Sequence, residues 1–472
     1  MPTTLTIILP DELLLEIFDA YRQHFRDNDH WNRRVAWFKL THVCRRWRRV
    51  VFASFCRLDL CLVLTTLHVG HMKTILSPRL PPLPITIDYS QSRPTSKDTS
   101  RLSSALKHHD RVRGISLKGM DRDFTKFFKD AKCPCPILES LELYSHHGTL
   151  SFPAKFLGGS TPLLQRLQVD PVQFASISRI LSSATSLVEL SLGLDTTFGP
   201  SPEVSLLAYI QAMPCLRNLE LTISRRSIDG LVHTANPKYI VTLSYLTRFY
   251  YSGCSAALNA LVSGLNTPSL RDLCIGLVNE ITSPSHLPRF IDDLDKEYHS
   301  VQLAFGTIDF RVSLLTDSEH IDCRQPRFKF CSRHSQDSLM RLSSALSAKF
   351  IAAKELLITF EIRGDDRWQD ITSWRKFLWP FRSVKVIRLE RSGILDIADC
   401  LVPASPDFLP SLEEIELRAH DRTVRRTPES EFEAELAAFQ PFVLAREQAG
   451  RPIKVYRSIT NGVEWGFPQV FG

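Results

Sequence analysis

One phrase recurs along most of this chain: a proline or small residue, an apolar residue, two polar residues, then two apolar residues one position apart. It reads PILESLELY from Pro136, PLLQRLQV from Pro162, TSLVELSLGL from Thr185, PCLRNLELTI from Pro214, PSLRDLCIGL from Pro268 and LPSLEEIEL from Leu409. Looser copies are RVRGISL from Arg111, LSYLTRFYY from Leu243 and FRSVKVIRL from Phe381. The inner positions Leu141, Leu167, Leu190, Leu219, Phe249 and Leu273 step by roughly 23–30 residues.

Alternating apolar residues, as at Leu141 and Leu143 or Leu219 and Leu221, suit a short strand with one buried face. Between the phrases lie helical patterns: Phe174, Ile177, Ile180 and Leu181, then Leu206, Leu207, Ile210 and Met213. A strand and a helix cannot bury their apolar faces alone, but stacked copies can. The predicted fold class is therefore α/β, a curved solenoid of strand–helix units with a parallel sheet on its inner side. An ordinary open α/β sheet would look alike over two or three units, but nine copies of one phrase favour the solenoid.

Length agrees with this. A chain of 472 residues is too long for one ordinary compact core, whereas a repeat array packs only neighbour on neighbour. The 43% hydrophobic and 23% charged content suits a folded chain. A net charge of +7 is small for this length, and the phrases carry Glu139, Glu142, Glu189 and Glu220 rather than a basic line. Both features disfavour a nucleic-acid binder. Eleven cysteines are scattered without a CxxC; the one close pair is Cys133 and Cys135 around Pro134. Such cysteines are expected to behave as small hydrophobes in a reducing compartment. No basic region or long apolar run precedes Asp11 and Glu12, so no signal peptide is expected. The apolar stretch Leu58 to Val69 falls short of the ~20 residues that span a bilayer. The expectation is a cytoplasmic or nuclear protein without membrane contact.

The N-terminus carries a different pattern. Leu9-Pro10-Asp11-Glu12 reads as a helix start, with proline in the first turn and acidic residues at the positive end of the dipole. Leu13, Leu14, Ile17, Phe18 and Tyr21 then mark an apolar face. After a polar stretch, Leu40, Val43, Cys44, Trp47, Val50 and Val51 form a second one, with Arg45, Arg46, Arg48 and Arg49 on the other side as a solvated face. Two such helices either pack on the rest of the chain or bury their apolar faces against a partner.

LPDELLLEIF followed by LTHVCRRWRRV resembles the F-box motif: Leu-Pro, an acidic pair, a Leu/Ile-rich helix, then Val-Cys-x-x-Trp with basic neighbours. The spacer from Tyr21 to Phe38 is longer and more polar than the family's link. The resemblance implies that Leu9, Pro10, Ile17, Phe18, Leu40, Val43, Cys44 and Trp47 form or support a surface for the Skp-type adaptor, and through it a cullin. The later phrases resemble the irregular leucine-rich repeats of many F-box proteins, especially the large fungal sets. The implied organisation is an F-box over residues 1–56 and a leucine-rich-repeat-like solenoid over 57–472. Within the latter, an irregular or inserted segment covers about 300–348. Thr307 to Leu315 and Arg327 to Cys331 alternate there as strands, either an inserted hairpin or degenerate repeats. A C-terminal cap covers about 427–472, with Thr427, Pro428 and Gly450 bounding a helix on Phe432, Leu436, Phe439 and Val443, then a KVYRSI strand.

Catalytic chemistry is not expected. The chain has no Gly-rich phosphate loop, HExxH or GxSxG. The doublets His108-His109 and His146-His147 would point to opposite faces on a strand and are read as solvent-exposed turn residues, so no metal or cofactor is expected. The implied function is substrate recruitment in a Skp–cullin–F-box ubiquitin ligase; a non-degradative repeat scaffold is the alternative. An unknown target protein is expected on outward strand positions, among them Glu142, Tyr144, Asn218 and Glu220.

Overall fold

Every copy of the phrase forms a strand. The structure, a computed structural model, describes residues 9–24, 37–58, 60–64, 82–90, 102–119, 124–146, 148–195, 203–224, 240–278, 290–291, 298–305, 309–315, 328–333, 336–360, 371–391, 394–401, 408–420 and 429–460. Residues 1–200 with 212–216 make one compact unit, and residues 201–211 with 217–472 make a second.

The first unit opens with three helices, α1 (Asp11–His24), α2 (Trp37–Leu40) and α3 (Arg45–Ala53). Six strands follow: β1 (Leu62–Leu64), β2 (Ile85–Ser90), β3 (Val112–Lys118), β4 (Ser140–Tyr144), β5 (Arg166–Val172) and β6 (Glu189–Asp195). Each pairs in parallel with the next. Connections include helices α4 (Phe124–Asp130) and α5 (Phe174–Ser183). The inner leucines of the phrase are register partners: Ile87, Ile115, Leu141, Leu167 and Leu190 form one row across β2–β6. All five are at most 1% exposed, so the row is continuous core. Ile177, Ile180 and Leu181 of α5 are buried, as their spacing requires.

The two polar residues of the phrase have a backbone role. The Glu139 N–H donates to the Arg113 carbonyl, and the Glu139 carbonyl then accepts from the N–H groups of Gln165 and Arg166, at 2.8–2.9 Å. The same step recurs from Gln165 to Val188 and Glu189. Each repeat thus satisfies the backbone ahead of the next strand, where no helix or ladder partner exists. Side chains stack beside this ladder, with Arg113–Glu139 at 2.7 Å and Arg166–Glu189 at 2.6 Å.

The second unit starts with α6 (Glu203–Gln211), β7 (Asn218–Ser224), a short β8 (Val241–Thr242), β9 (Arg248–Gly253), α7 (Ser255–Ser263), a short β10 (Leu265–Asn266) and β11 (Asp272–Leu277). The parallel row Leu219–Phe249–Leu273 continues the logic of the first unit, and β8 pairs separately with β10. Leu206, Leu207 and Ile210 of α6 are buried.

The rhythm then breaks where the sequence loses the phrase. The segment expected as a hairpin or as degenerate repeats is a three-strand meander, β12 (Ser300–Phe305), β13 (Asp309–Leu315) and β14 (Phe328–Arg333), joined by antiparallel pairing. β12 lies three places from β11 and the chain walks back through β13, so that β14 pairs in parallel with β11. Helices α8 (Gln336–Ala345) and α9 (Ser347–Ala352) lead to β15 (Glu355–Phe360), which pairs in parallel with β12. The parallel order resumes through α10 (Ile371–Leu378), β16 (Val386–Arg391), α11 (Ile394–Leu401), β17 (Glu414–His420), α12 (Glu429–Gln448) and β18 (Lys454–Thr460).

The expected terminal helix and strand are α12 and β18. Thr427 and Pro428 lie outside the described residues, as does the Phe432 side chain. Gly450 follows the helix at φ 72°, the left-handed conformation that suits glycine. Phe439 and Phe442 are buried and Arg446 is 1% exposed, its Nη2 donating to the Leu412 carbonyl at 2.9 Å. His108 and His109, expected as exposed turn residues, are half-buried. They sit in a 3-10 helix, Leu106–Arg111, and His109 Nδ1 lies 2.9 Å from the Pro134 carbonyl.

Candidate protein-interaction surfaces

The N-terminal helices bury one apolar face and leave another open. At 100° per residue, Leu14 and Phe18 of α1 share a side that is 0% exposed. Phe18 meets Trp47 of α3 edge-on, with ring centroids 4.8 Å apart. Leu13 and Ile17, one position back along the same turns, are 44% and 43% exposed. Val43, before α3, is 55% exposed, and Phe38 on α2 is 46% exposed. Exposed large apolar residues grouped in one small module differ from the scattered ones of an ordinary surface.

The residues singled out in the sequence divide accordingly. Phe18 and Leu40 are core, whereas Pro10, Ile17 and Val43 are exposed. Leu9 and Trp47 are half-buried. Cys44 is the N-cap of α3, its Sγ accepting from the Trp47 N–H at 3.4 Å. Leu13 and Phe38 join the exposed set, and the signal for Leu13 was its position four residues before Ile17.

The four arginines do not form one solvated face. Arg46 bridges to α1, donating to Asp11 at 2.6 Å and to the Leu9 carbonyl at 2.5 Å. Arg48 donates to the Thr41 carbonyl at 2.9 Å. Arg45 and Arg49 are exposed.

The outward strand faces are polar and densely paired. In the first unit, Glu142 accepts from Ser116 Oγ at 3.1 Å and lies 3.6 Å from Lys118. Tyr144, at the end of β4, is 38% exposed and meets His146 edge-on at 4.9 Å. In the second unit, Asn218 is half-buried, while Glu220 is exposed in a row with Tyr250, Cys274 and Lys329. Burial, then Cys274 and Glu220, push the Tyr250 phenol up. The two candidate pairs thus lie on outward faces of different units.

A charge network spans β15–β18, and no local spacing in the sequence announced it. Arg388 stands between Glu355 at 2.7 Å and Glu416 at 2.8 Å. Arg418 reaches Glu416 at 3.1 Å and Glu390 at 3.6 Å. Burial alone would raise the Glu416 carboxyl; the Ser458 hydroxyl, Arg418 and Arg388 outweigh it and hold the group below its usual range. These partners come from three neighbouring strands, so no local spacing announces them.

Burial pushes Cys135 and Cys400 up to about 12 and Cys274 to about 11, so each is protonated near neutrality. Among the described residues, no three His, Cys, Asp or Glu side chains gather as a metal-ligand set. Among the same residues, no helix is long and apolar enough to cross a membrane.

No protein-family model matches the chain, and no curated protein does. Among solved structures, the leucine-rich repeat-containing protein LegL7 from Legionella pneumophila aligns at 15% identity, over 71% of this chain and 88% of its own, with a TM-score of 0.26. A protein from Bacteroides fragilis aligns at 11% identity, over 78% of this chain and 74% of its own, with a TM-score of 0.23. The repeat architecture itself rests on the strand register within each unit.

Proposed function

We propose that this chain is a non-catalytic, substrate-recruiting adaptor of a Skp–cullin–F-box ubiquitin ligase. Residues 1–56 dock the Skp-type adaptor, and residues 57–472, a curved leucine-rich-repeat-like solenoid, hold a target protein. The observation that carries the reading is the open apolar edge of α1, Leu13 and Ile17, together with the exposed Val43 and Phe38 of the same helical segment. It coincides with the two sequence blocks that resemble the F-box. A helix edge left apolar by its own fold is stabilised by a partner that covers it. The mechanism is proximity: a bound target meets the ubiquitin-carrying enzyme at high effective concentration, so this chain supplies no reacting group. Target contacts fall on outward strand positions such as Glu142, Tyr144, Asn218 and Glu220. The working compartment is the cytoplasm or nucleus.

The test is capture from cell extract with Ile17→Asp plus Val43→Asp, which alters exposed positions only. Wild type is expected to recover the Skp adaptor and a neddylated cullin, and the variant neither, at unchanged circular dichroism. Equal recovery by both proteins overturns the assignment. Adaptor without cullin identifies the non-degradative scaffold instead.

A further inference from the structure

We propose that the arginine face of α3 is a second docking surface, which takes an acidic segment of a partner protein. Residues 37–58 contain six cations, Lys39, Arg45, Arg46, Arg48, Arg49 and Arg57, and no Asp or Glu. α1 neutralises two of them, with Asp11 on Arg46 at 2.6 Å and Asp19 on Arg57 at 3.6 Å. Among the described residues, no carboxylate lies within ion-pair reach of Lys39, Arg45, Arg48 or Arg49. All four are exposed.

Their placement is directional. Arg45, Arg48 and Arg49 stand at helical spacings of three and four, so they share one face of α3. Trp47 lies on the far side, against Phe18 of α1. The charged face is therefore separate from the apolar edge of α1, and this proposal does not rest on adaptor docking. Like charges at this spacing repel in the free helix, and an anionic partner removes that repulsion.

The chemistry favours a protein over a nucleic acid. Arg45 and Arg49 are about 6 Å apart along the axis at 1.5 Å per residue. That length suits two or three carboxylates held bidentately by guanidinium forks. It falls short of the roughly 6–10 phosphate contacts that give a nucleic-acid binder its affinity.

The experiment uses the full chain and fluorescence anisotropy with a short labelled poly-glutamate peptide, a poly-lysine peptide and a short single-stranded oligonucleotide. Poly-glutamate is expected to bind, poly-lysine not, and affinity is expected to fall as salt screens the contact. Arg45→Glu with Arg49→Glu should weaken poly-glutamate binding by about tenfold or more. The milder Arg45→Gln with Arg49→Gln should weaken it less, and the charge-neutral Ile17→Asn with Val43→Asn should leave it unchanged. Circular dichroism checks that each variant keeps its fold. Equal binding by wild type and both arginine variants overturns the proposal. So does loss of binding in the Ile17/Val43 variant, or an oligonucleotide that binds more tightly than the peptide.

Discussion

The carboxylate of Asp170 on β5 lies in the space that a side chain at Gly193 on β6 would fill: a Cβ there would sit 1.7 Å from Asp170 Oδ1. The register slips at this point, with Val169 opposite Leu192 but Val172 opposite Leu194. The additional residue on β5 turns Asp170 over its neighbour, and burial raises its carboxyl above the usual range. Gly193→Ala should therefore destabilise the chain by about 1–3 kcal/mol, the cost of overpacking. Asp170→Gly in the same chain should recover most of that loss. Urea midpoints for the four proteins of this cycle check it, and strictly additive single effects would show that the two positions do not meet.

Arg388 holds two carboxylates, Glu355 and Glu416, with all three side chains at most 18% exposed. Arg388→Met should cost about 1–3 kcal/mol, because it removes the cation beside the partly buried Glu355 and leaves Glu416 with Arg418 alone. The pH dependence follows from Glu416, whose carboxyl is lower in the folded chain than the usual value of about 4.3. Its stabilisation is fully present above the unfolded value and is lost as pH falls through the folded one. Wild type should thus lose urea resistance on acidification below about pH 4.3, and the variant less steeply there. Parallel acid slopes would mean that Arg388 does not hold Glu416 down.

Leu219 is 1% exposed in the row with Phe249 and Leu273, whereas Leu163 is 49% exposed. Leu219→Ala should cost about 2–5 kcal/mol, and Leu163→Ala about 0.5 kcal/mol or less. Denaturant titration of both variants measures the contrast; a Leu219→Ala loss near that of Leu163→Ala would contradict the buried row.

Neighbouring positions of α1 should behave in opposite ways. Phe18→Ala removes a fully buried ring that packs on Trp47, and about 3–5 kcal/mol of local stability should go with it. Ile17→Ala, on the open edge, should change stability by about 0.5 kcal/mol or less. Hydrogen exchange of the α1 amides reads both directly. Equal protection in the two variants would place Ile17 in the same core as Phe18.

What the sequence determined by itself is local. All nine copies of the phrase are strands, because alternation of apolar residues dictates which face of an extended segment is buried. The buried sides of α5 and α6, and the terminal helix and strand, were legible for the same kind of reason. β1, β2, β12 and β15 were missed; ITIDYS, for one, follows Leu83-Pro84 directly, without the two polar residues that lead into the alternating pair of the phrase. The tertiary structure alone decided what depends on neighbours distant in the chain. It placed β14 beside β11 and β12 beside β15, since pairing partners are chosen by the whole sheet and not by the strand. It joined Glu355, Arg388 and Glu416 into one network across three strands. It also split the apolar stripe of α1 into a buried Phe18 and an exposed Ile17. Periodicity reports that a helix has an apolar side, but only packing against α3 settles which part of that side the fold itself covers.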